Sequence, residues 1–210
     1  MRITAIEEQK KNKDRRSVFI DGEFAFGMTA ADCYLLGLKE GDEISSSELK
    51  KIKQTALAAD AKNLAVKYLG YAMRTKREVE LKLRSYDIGE DIIEAAIEQL
   101  VSLRYIDDVD YAEKYVASKR KSGYGDMRIK HELYRKGIDS DIITQSLEEC
   151  DDTQEKILSL LERRIKSETL TEFNKKEKQK IYNFLNSRGF SYEDTKSAVK
   201  AYWDNDNNET

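Results

Sequence analysis

The chain has 210 residues, 37% of them charged, with a formal net charge of −3 and no proline. That balance excludes a polycation, and the lack of proline favours long helical runs. No apolar stretch approaches the roughly 18–20 residues that a membrane span needs.

Residues 1–44 differ in character from the rest. Arg2 to Glu8 alternates in part, and Lys10 to Arg16 reads as a basic loop or turn. Ser17–Ile20 and Glu23–Phe26 are two apolar runs around Asp21-Gly22, a strong hairpin signal. Thr29 to Leu36 is expected to be a short helix closed by Gly37. A small β-rich N-terminal domain is the reading for 1–44. Ser45-x-x-Glu48 is a capping box, and it opens a connecting helix over 45–61 that either continues or bends into the first repeat.

From residue 62 onward one pattern occurs three times. Val79 and Leu83 precede a break at Asp87-Ile88, then Ile92, Ile93, Ala96, Ile97 and Leu100. Fifty positions on stand Ile129, Leu133, Gly137-Ile138, Ile142, Ile143, Ser146, Leu147 and Cys150. The third copy is looser: Ile181, Leu185, Gly189-Phe190, Asp194, Thr195, Ala198, Val199 and Tyr202. These spacings are helical stripes, and self-similarity at a fixed period marks stacked units. Gly137 and Gly189 stand just past a helix end, where a left-handed residue is needed; Asp87 takes that place in the first copy. Each copy has a preceding helix, so each unit is three short helices. The repeats span 62–108, 109–152 and 153–205, with an insertion around Ser167 to Asn174, and 206–210 is a disordered tail. The expected fold class is mainly α: an elongated array of three tandem three-helix repeats behind the small β-rich domain.

Further start signals fall where the pattern needs them. Thr75-x-x-Glu78 and Asn174-x-x-Glu177 cap the middle helix of units one and three, and Ile106 to Tyr111 opens the second unit. Lys121 to Gly125 is a flexible link.

Charge repeats with the pattern. Lys62 to Arg84 holds seven basic and two acidic residues, whereas Asp87 to Asp108 holds one basic and seven acidic. Lys114 to Lys136 holds eight and two; Asp139 to Asp152 holds none and six. Lys156 to Arg188 holds nine and four; Glu193 to Glu209 holds two and five. Either the two halves neutralise each other between units, or the basic helices align into the footprint of a polyanion or acidic partner.

No catalytic constellation is visible. His131 is the only histidine and reads as a spacer at a unit boundary. There is no metal-spaced Cys/His set and no phosphate-loop motif. Gly123-Tyr-Gly125 is too short to cradle phosphates. The expectation is a non-enzyme without cofactor or metal. The N-terminus has no signal core, and Cys33 and Cys150 lie far apart, so a reduced, cytoplasmic chain is expected.

Tyr105-Ile106-Asp107-Asp108 followed by Tyr111-Ala112, then Gly125, Arg128-Ile129, Glu132-Leu133 and Gly137-Ile138, resemble the RecX family of bacterial recombinase regulators. The resemblance covers about residues 60–203; the first 50 residues lie outside the firm match. It implies tandem three-helix units that bind the RecA–DNA filament in its groove. Filament growth, ATP hydrolysis, strand exchange and RecA-stimulated cleavage would then be restrained, and any effect on ATP would act through the partner's ATPase. The alternative is a helical DNA-binding module that competes for DNA. The partner implied is the RecA filament on single-stranded DNA, with direct DNA contact left open, no membrane, and a monomeric chain.

The binding-surface candidates are Arg74, Lys76 and Arg77 in unit one. In unit two they are Lys119, Arg120, Lys121, Arg128, Lys130, Arg135 and Lys136, and in unit three Lys175, Lys176, Lys178 and Arg188. Tyr124 and Tyr134 are expected to pack within the repeats rather than stack on a base. Tyr105, Tyr111 and Tyr115 are assigned to the core.

Overall fold

Asp21 and Gly22 both adopt positive φ, 49° and 88°. That pair of conformations is what a two-residue turn needs to match strand twist. In the computed structural model the turn joins β2 (Asn12–Ile20) to β3 (Glu23–Thr29), and β1 (Ile3–Gln9) completes an antiparallel sheet of order β1-β2-β3. The structure describes residues 1–10, 12–86, 88–148, 153–167 and 175–206, with side chains at 154–164 and 178–202 in the last two segments. The chain divides into two compact units, Met1–Asp107 and Asp108–Thr210.

In the first unit the inward sheet residues Ile3, Val18, Ile20, Phe26 and Met28 are buried with Cys33, Ile44 and Ala56. The last belongs to α2 (Ser46–Leu69), which comes after the short α1 (Ala30–Leu35). The capping box at Ser45 and Glu48 is formed in both directions. The helix does not bend at the repeat; it runs unbroken for 24 residues, about 36 Å. Its early part covers the sheet through Ala56, and Ala61 and Ala65 enter the core of the first repeat. Alanines permit that close approach on two different faces. Arg15 of β2 grips Asp60 of α2 with two parallel hydrogen bonds, the longer one 2.8 Å. One expectation fails here: residues 12–16 are strand rather than loop. Their side chains are exposed or half-buried, so no apolar alternation betrays them, and pairs such as Glu8 with Arg16 hold the register instead.

The first repeat packs the end of α2 with α3 (Lys76–Arg84) and α4 (Glu90–Ser102). Its core holds Val79, Leu83, Ile93, Ala96, Ile97, Leu100 and Ile106. Thr75 and Glu78 form the expected capping box. Asp87 lies outside the described residues.

The second unit holds the other two repeats. The first of them is α5 (Asp108–Lys121), α6 (Asp126–Arg135) and α7 (Ser140–Glu148). The other is α8 (Thr153–Ser167), α9 (Lys175–Ser187) and α10 (Tyr192–Asp206). Ile129 and Leu133 are fully buried in one, and Ile181 and Leu185 are at most 2% exposed in the other, like Val79 and Leu83 before them. Gly137 and Gly189 have φ of 81° and 90°, as the helix-end reading requires. Cys150, the cap at Asn174 and Glu177, the stretch 168–174 and the last four residues lie outside the described set. Tyr105 departs from its assignment: it is 56% exposed. It comes after Arg104, a non-glycine residue at φ 57°, where the chain turns out of α4, while Ile106 takes the core position.

Candidate partner-binding surface

The last turn of α5 carries three consecutive cations, and helical spacing sends them in different directions. Arg120 turns inward and is 8% exposed. Its guanidinium donates to both Asp126 carboxylate oxygens, at 3.0 and 2.8 Å, and to the Leu147 carbonyl at 2.7 Å. Those bonds tie α5 to the start of α6 and the end of α7. Lys121 points to solvent.

Lys119 turns towards α6, where Glu132 waits. Its ammonium lies 2.7 Å from Glu132 Oε2, the Tyr115 hydroxyl donates to the same oxygen at 2.6 Å, and Arg128 Nε donates to Oε1 at 3.0 Å. Burial alone would raise the carboxyl. The hydrogen bonds from Lys119, Tyr115 and Arg128 outweigh it and bring the pKa down to about 2. The same contact raises Lys119, chiefly through its hydrogen bond to Glu132. Burial, then the bond to Glu132, pushes Tyr115 upward.

Above this hub sits the Tyr124 ring. Arg128 lies 4.4 Å from its centroid, Lys119 5.1 Å and Arg188 5.6 Å. Cations over the face of an aromatic ring are held by its quadrupole. Tyr124 therefore packs, as expected, whereas Tyr134 is 68% exposed. Arg188 comes from the third repeat. It donates to the carbonyls of Ser122 and Gly123 at 3.2 and 3.1 Å and lies 4.9 Å from the Phe184 centroid. Arg164 approaches the same ring at 4.4 Å.

Five of the sequence candidates, Lys119, Arg120, Lys121, Arg128 and Arg188, thus meet where α5 turns into α6 against the α9–α10 turn. Beside them is a hollow of about 550 Å³. Arg120, Lys121, Lys156, Arg163, Arg164 and Arg188 line it with Ser122, Gly123, Ser159, Leu160 and Phe184. Among the described residues, six cations and no carboxylate share its wall. Lys156, Arg163 and Arg164 escaped the sequence reading. Their signal was the seven-residue spacing of Lys156 and Arg163, which puts both on one face of α8.

The remaining candidates are not among the residues that line the hollow. Arg74 is half-buried with its guanidinium 4.7 Å from the Tyr68 centroid, and Lys76 and Arg77 are exposed at the start of α3. Lys130 and Arg135 are exposed on α6, and Lys136 lies 5.4 Å from the Tyr111 centroid. Lys178 is exposed; the side chains of Lys175 and Lys176 lie outside the described set. His131 is exposed. Among the described residues no three His, Cys, Asp or Glu side chains gather as metal ligands, and no helix is long and apolar enough to cross a membrane.

Known proteins match the chain domain by domain. Residues 1–45 match the profile of the regulatory protein RecX N-terminal domain. Residues 61–100, 107–147 and 151–199 match the first, second and third RecX three-helix domains. The match therefore reaches the sheet domain that the sequence motifs left out. A Clostridium botulinum (strain Eklund 17B / Type B) protein named "Regulatory protein RecX" is 35% identical over 95% of both chains. A Bacillus cytotoxicus protein of the same name is 36% identical over 90% of this chain and 72% of its own. A crystal structure of regulatory protein RecX superposes with a TM-score of 0.73, at 26% identity, over 97% of this chain and 98% of that one. The structure of RecX from Lactobacillus salivarius gives 0.64 at 35% identity, over 70% of this chain and 96% of its own. With its sheet domain and all three helical domains matched in order, the chain belongs to the RecX family of regulatory proteins.

Proposed function

We propose that this protein is a negative modulator of the RecA recombinase, binding the RecA–DNA filament and restraining its growth, ATPase and strand exchange. Membership of the RecX family is the observation that carries this reading. The physical arrangement suits it. Each repeat begins its middle helix with cations near the first turn, Lys76 and Arg77 in one and Arg128 and Lys130 in the next. A partner that is itself a regular polymer of protein and nucleic acid offers matching anionic surface.

On this reading the chain is a cytoplasmic, monomeric binding protein rather than an enzyme, and its effect on ATP turnover passes through RecA. Its contact surface comprises the exposed candidates, with Lys121, Lys130 and Arg135 foremost. The test is ATP hydrolysis by RecA on single-stranded DNA. Added to preformed filaments below one chain per RecA, the protein should lower the rate and halt extension. An unchanged rate at saturating protein would remove the proposal.

A second reading is favoured by one observation, the six-cation hollow. It is a DNA-binding module that inhibits recombination by competing for the strand. Inhibition that vanishes when filaments are formed before addition would select it.

A further inference from the structure

The Tyr124 hub and the basic hollow adjoin each other, but they differ in what remains for a ligand. In the hub Glu132 already answers Lys119 and Arg128, and the ring is covered. The hollow has no carboxylate among its described lining residues, although Asp126 next to it offsets Arg120. Lys121 and Arg163 are exposed, and neither side chain has an ion pair or hydrogen bond among the described residues.

The wall has a direction. Lys156 and Arg163 stand seven residues apart on α8, about 10 Å along its axis. A stacked nucleic-acid strand advances about 3.4 Å per nucleotide, so that length faces about three phosphates. Lys121 lines the hollow from the end of α5. Ser122 and Gly123 also line it, their carbonyls already held by Arg188.

The floor says what the ligand is not. Leu160 and Phe184 are its apolar elements, and Arg164 and Arg188 lie against the Phe184 ring. A peptide partner gains most of its affinity from an aromatic or aliphatic anchor in such a pocket, and here the place is taken by guanidiniums. A base has no bare ring to stack on. What is left is ionic recognition of closely spaced oxyanions by planar forks, which phosphodiesters satisfy without regard to sequence.

We infer that this hollow, between the second and third repeats, is a binding site for the sugar–phosphate backbone of single-stranded nucleic acid, with Lys121, Lys156, Arg163 and Arg164 as the residues that hold it. The inference rests on the proposed function only for the source of the strand, which is the DNA within or beside the filament. The site itself acts without RecA.

The test uses the full chain and a fluorescent oligo-thymidylate, with binding followed by anisotropy from about 50 to 200 mM salt. Lys121→Glu/Arg163→Glu should weaken binding at least about tenfold at the low end. It should flatten the log–log salt dependence by about 1.4, two contacts at roughly 0.7 each. Lys50→Glu/Lys51→Glu on α2 changes net charge equally and should leave both quantities near wild type. The neutral pair Lys121→Gln/Arg163→Gln should fall between. Three results would overturn the site: equal losses in the two reversal pairs, no loss in the hollow pair, or tighter binding of an oligoglutamate or a duplex of the same length. Since RecA is absent, failure here leaves the filament reading standing. Failure of the ATPase test leaves this site standing.

Discussion

Gly125 and Gly189 meet backbone to backbone across the second and third repeats. The Gly125 amide donates to the Arg188 carbonyl at 2.8 Å, and the Met127 amide donates to the Gly189 carbonyl at 3.1 Å. Amides at a helix start have no partner within the helix, and the turn that ends α9 supplies one to Met127 in the first turn of α6 and one to Gly125 just before it. A Cβ on Gly125 would land on the Gly189 carbonyl oxygen, and one on Gly189 would land on the Arg128 Cβ. This contact brings Arg188 over Tyr124, so the basic cluster exists only because two repeats approach this closely.

Gly189→Ala is therefore expected to cost about 2–3 kcal/mol, combining the clash with the strain of a positive φ. Gly125→Ala should lose a similar amount through the clash alone. Gly70→Ala is the matched control. Gly70 has a helical φ of −63°, and its Cβ would meet only the Lys67 and Val66 carbonyls at 3.5 Å, so it should be neutral or slightly stabilising. Hydrogen exchange at the Gly125 and Met127 amides reads the junction directly and should accelerate in the first two variants only.

Glu132 makes the hub sensitive to acid. Its folded pKa of about 2 lies below the ordinary value of 4.5, so its stabilisation is fully present above about pH 4.5 and is lost as pH falls towards 2. With the carboxylate partly open to solvent, the effect is on the order of 1 kcal/mol after screening. Glu132→Gln should be less stable than wild type at pH 6, with the difference shrinking by pH 3. Chemical denaturation at the two pH values measures it, and a difference that grows on acidification would refute the hub.

Arg120 and Lys121 are neighbours with opposite roles. Arg120→Ala leaves the Leu147 carbonyl and Asp126 without their donor and is expected to cost about 1–3 kcal/mol. Lys121→Ala should stay within about 0.5 kcal/mol. Denaturant midpoints of the two variants settle the order. Any loss of partner binding in Arg120→Ala then comes from loss of structure, whereas in Lys121→Gln it reports on contact.

The helix starts give a further check. Thr75 is fully buried, and its hydroxyl accepts from the Glu78 amide at 3.2 Å while the Glu78 carboxylate accepts from the Thr75 amide at 3.1 Å. Thr75→Ala should destabilise by about 1–2 kcal/mol. Gly137→Val, at φ 81° and with a branched side chain, should be at least as costly. Thermal melts that leave either variant unchanged would count against these caps.

Features that depend on neighbouring residues were legible in the sequence. The three helical stripes, the Asp21-Gly22 turn and the Ser45 and Thr75 boxes involve residues within a few positions of one another, and all are in the structure. The N-terminal half of β2 was missed because its polar side chains carry no alternation, and its neighbours in the sheet supply the pairing. Tyr105 misled because a tyrosine amid core residues reads as core, while a positive-φ residue before it turns the ring outward. The basic cluster was half visible. Basic residues could be counted, but Arg120 facing inward, Arg188 arriving from 65 residues away at Gly123, and Lys156 with Arg163 completing the wall are consequences of packing between repeats.

The most direct test of the account is salt-dependent binding of the full chain to RecA–single-stranded DNA filaments, measured beside RecA alone and DNA alone. The expected result is affinity for the filament well above either component, falling as salt rises. Equal affinity for filament and bare DNA, or binding to the filament that salt does not weaken, would contradict it.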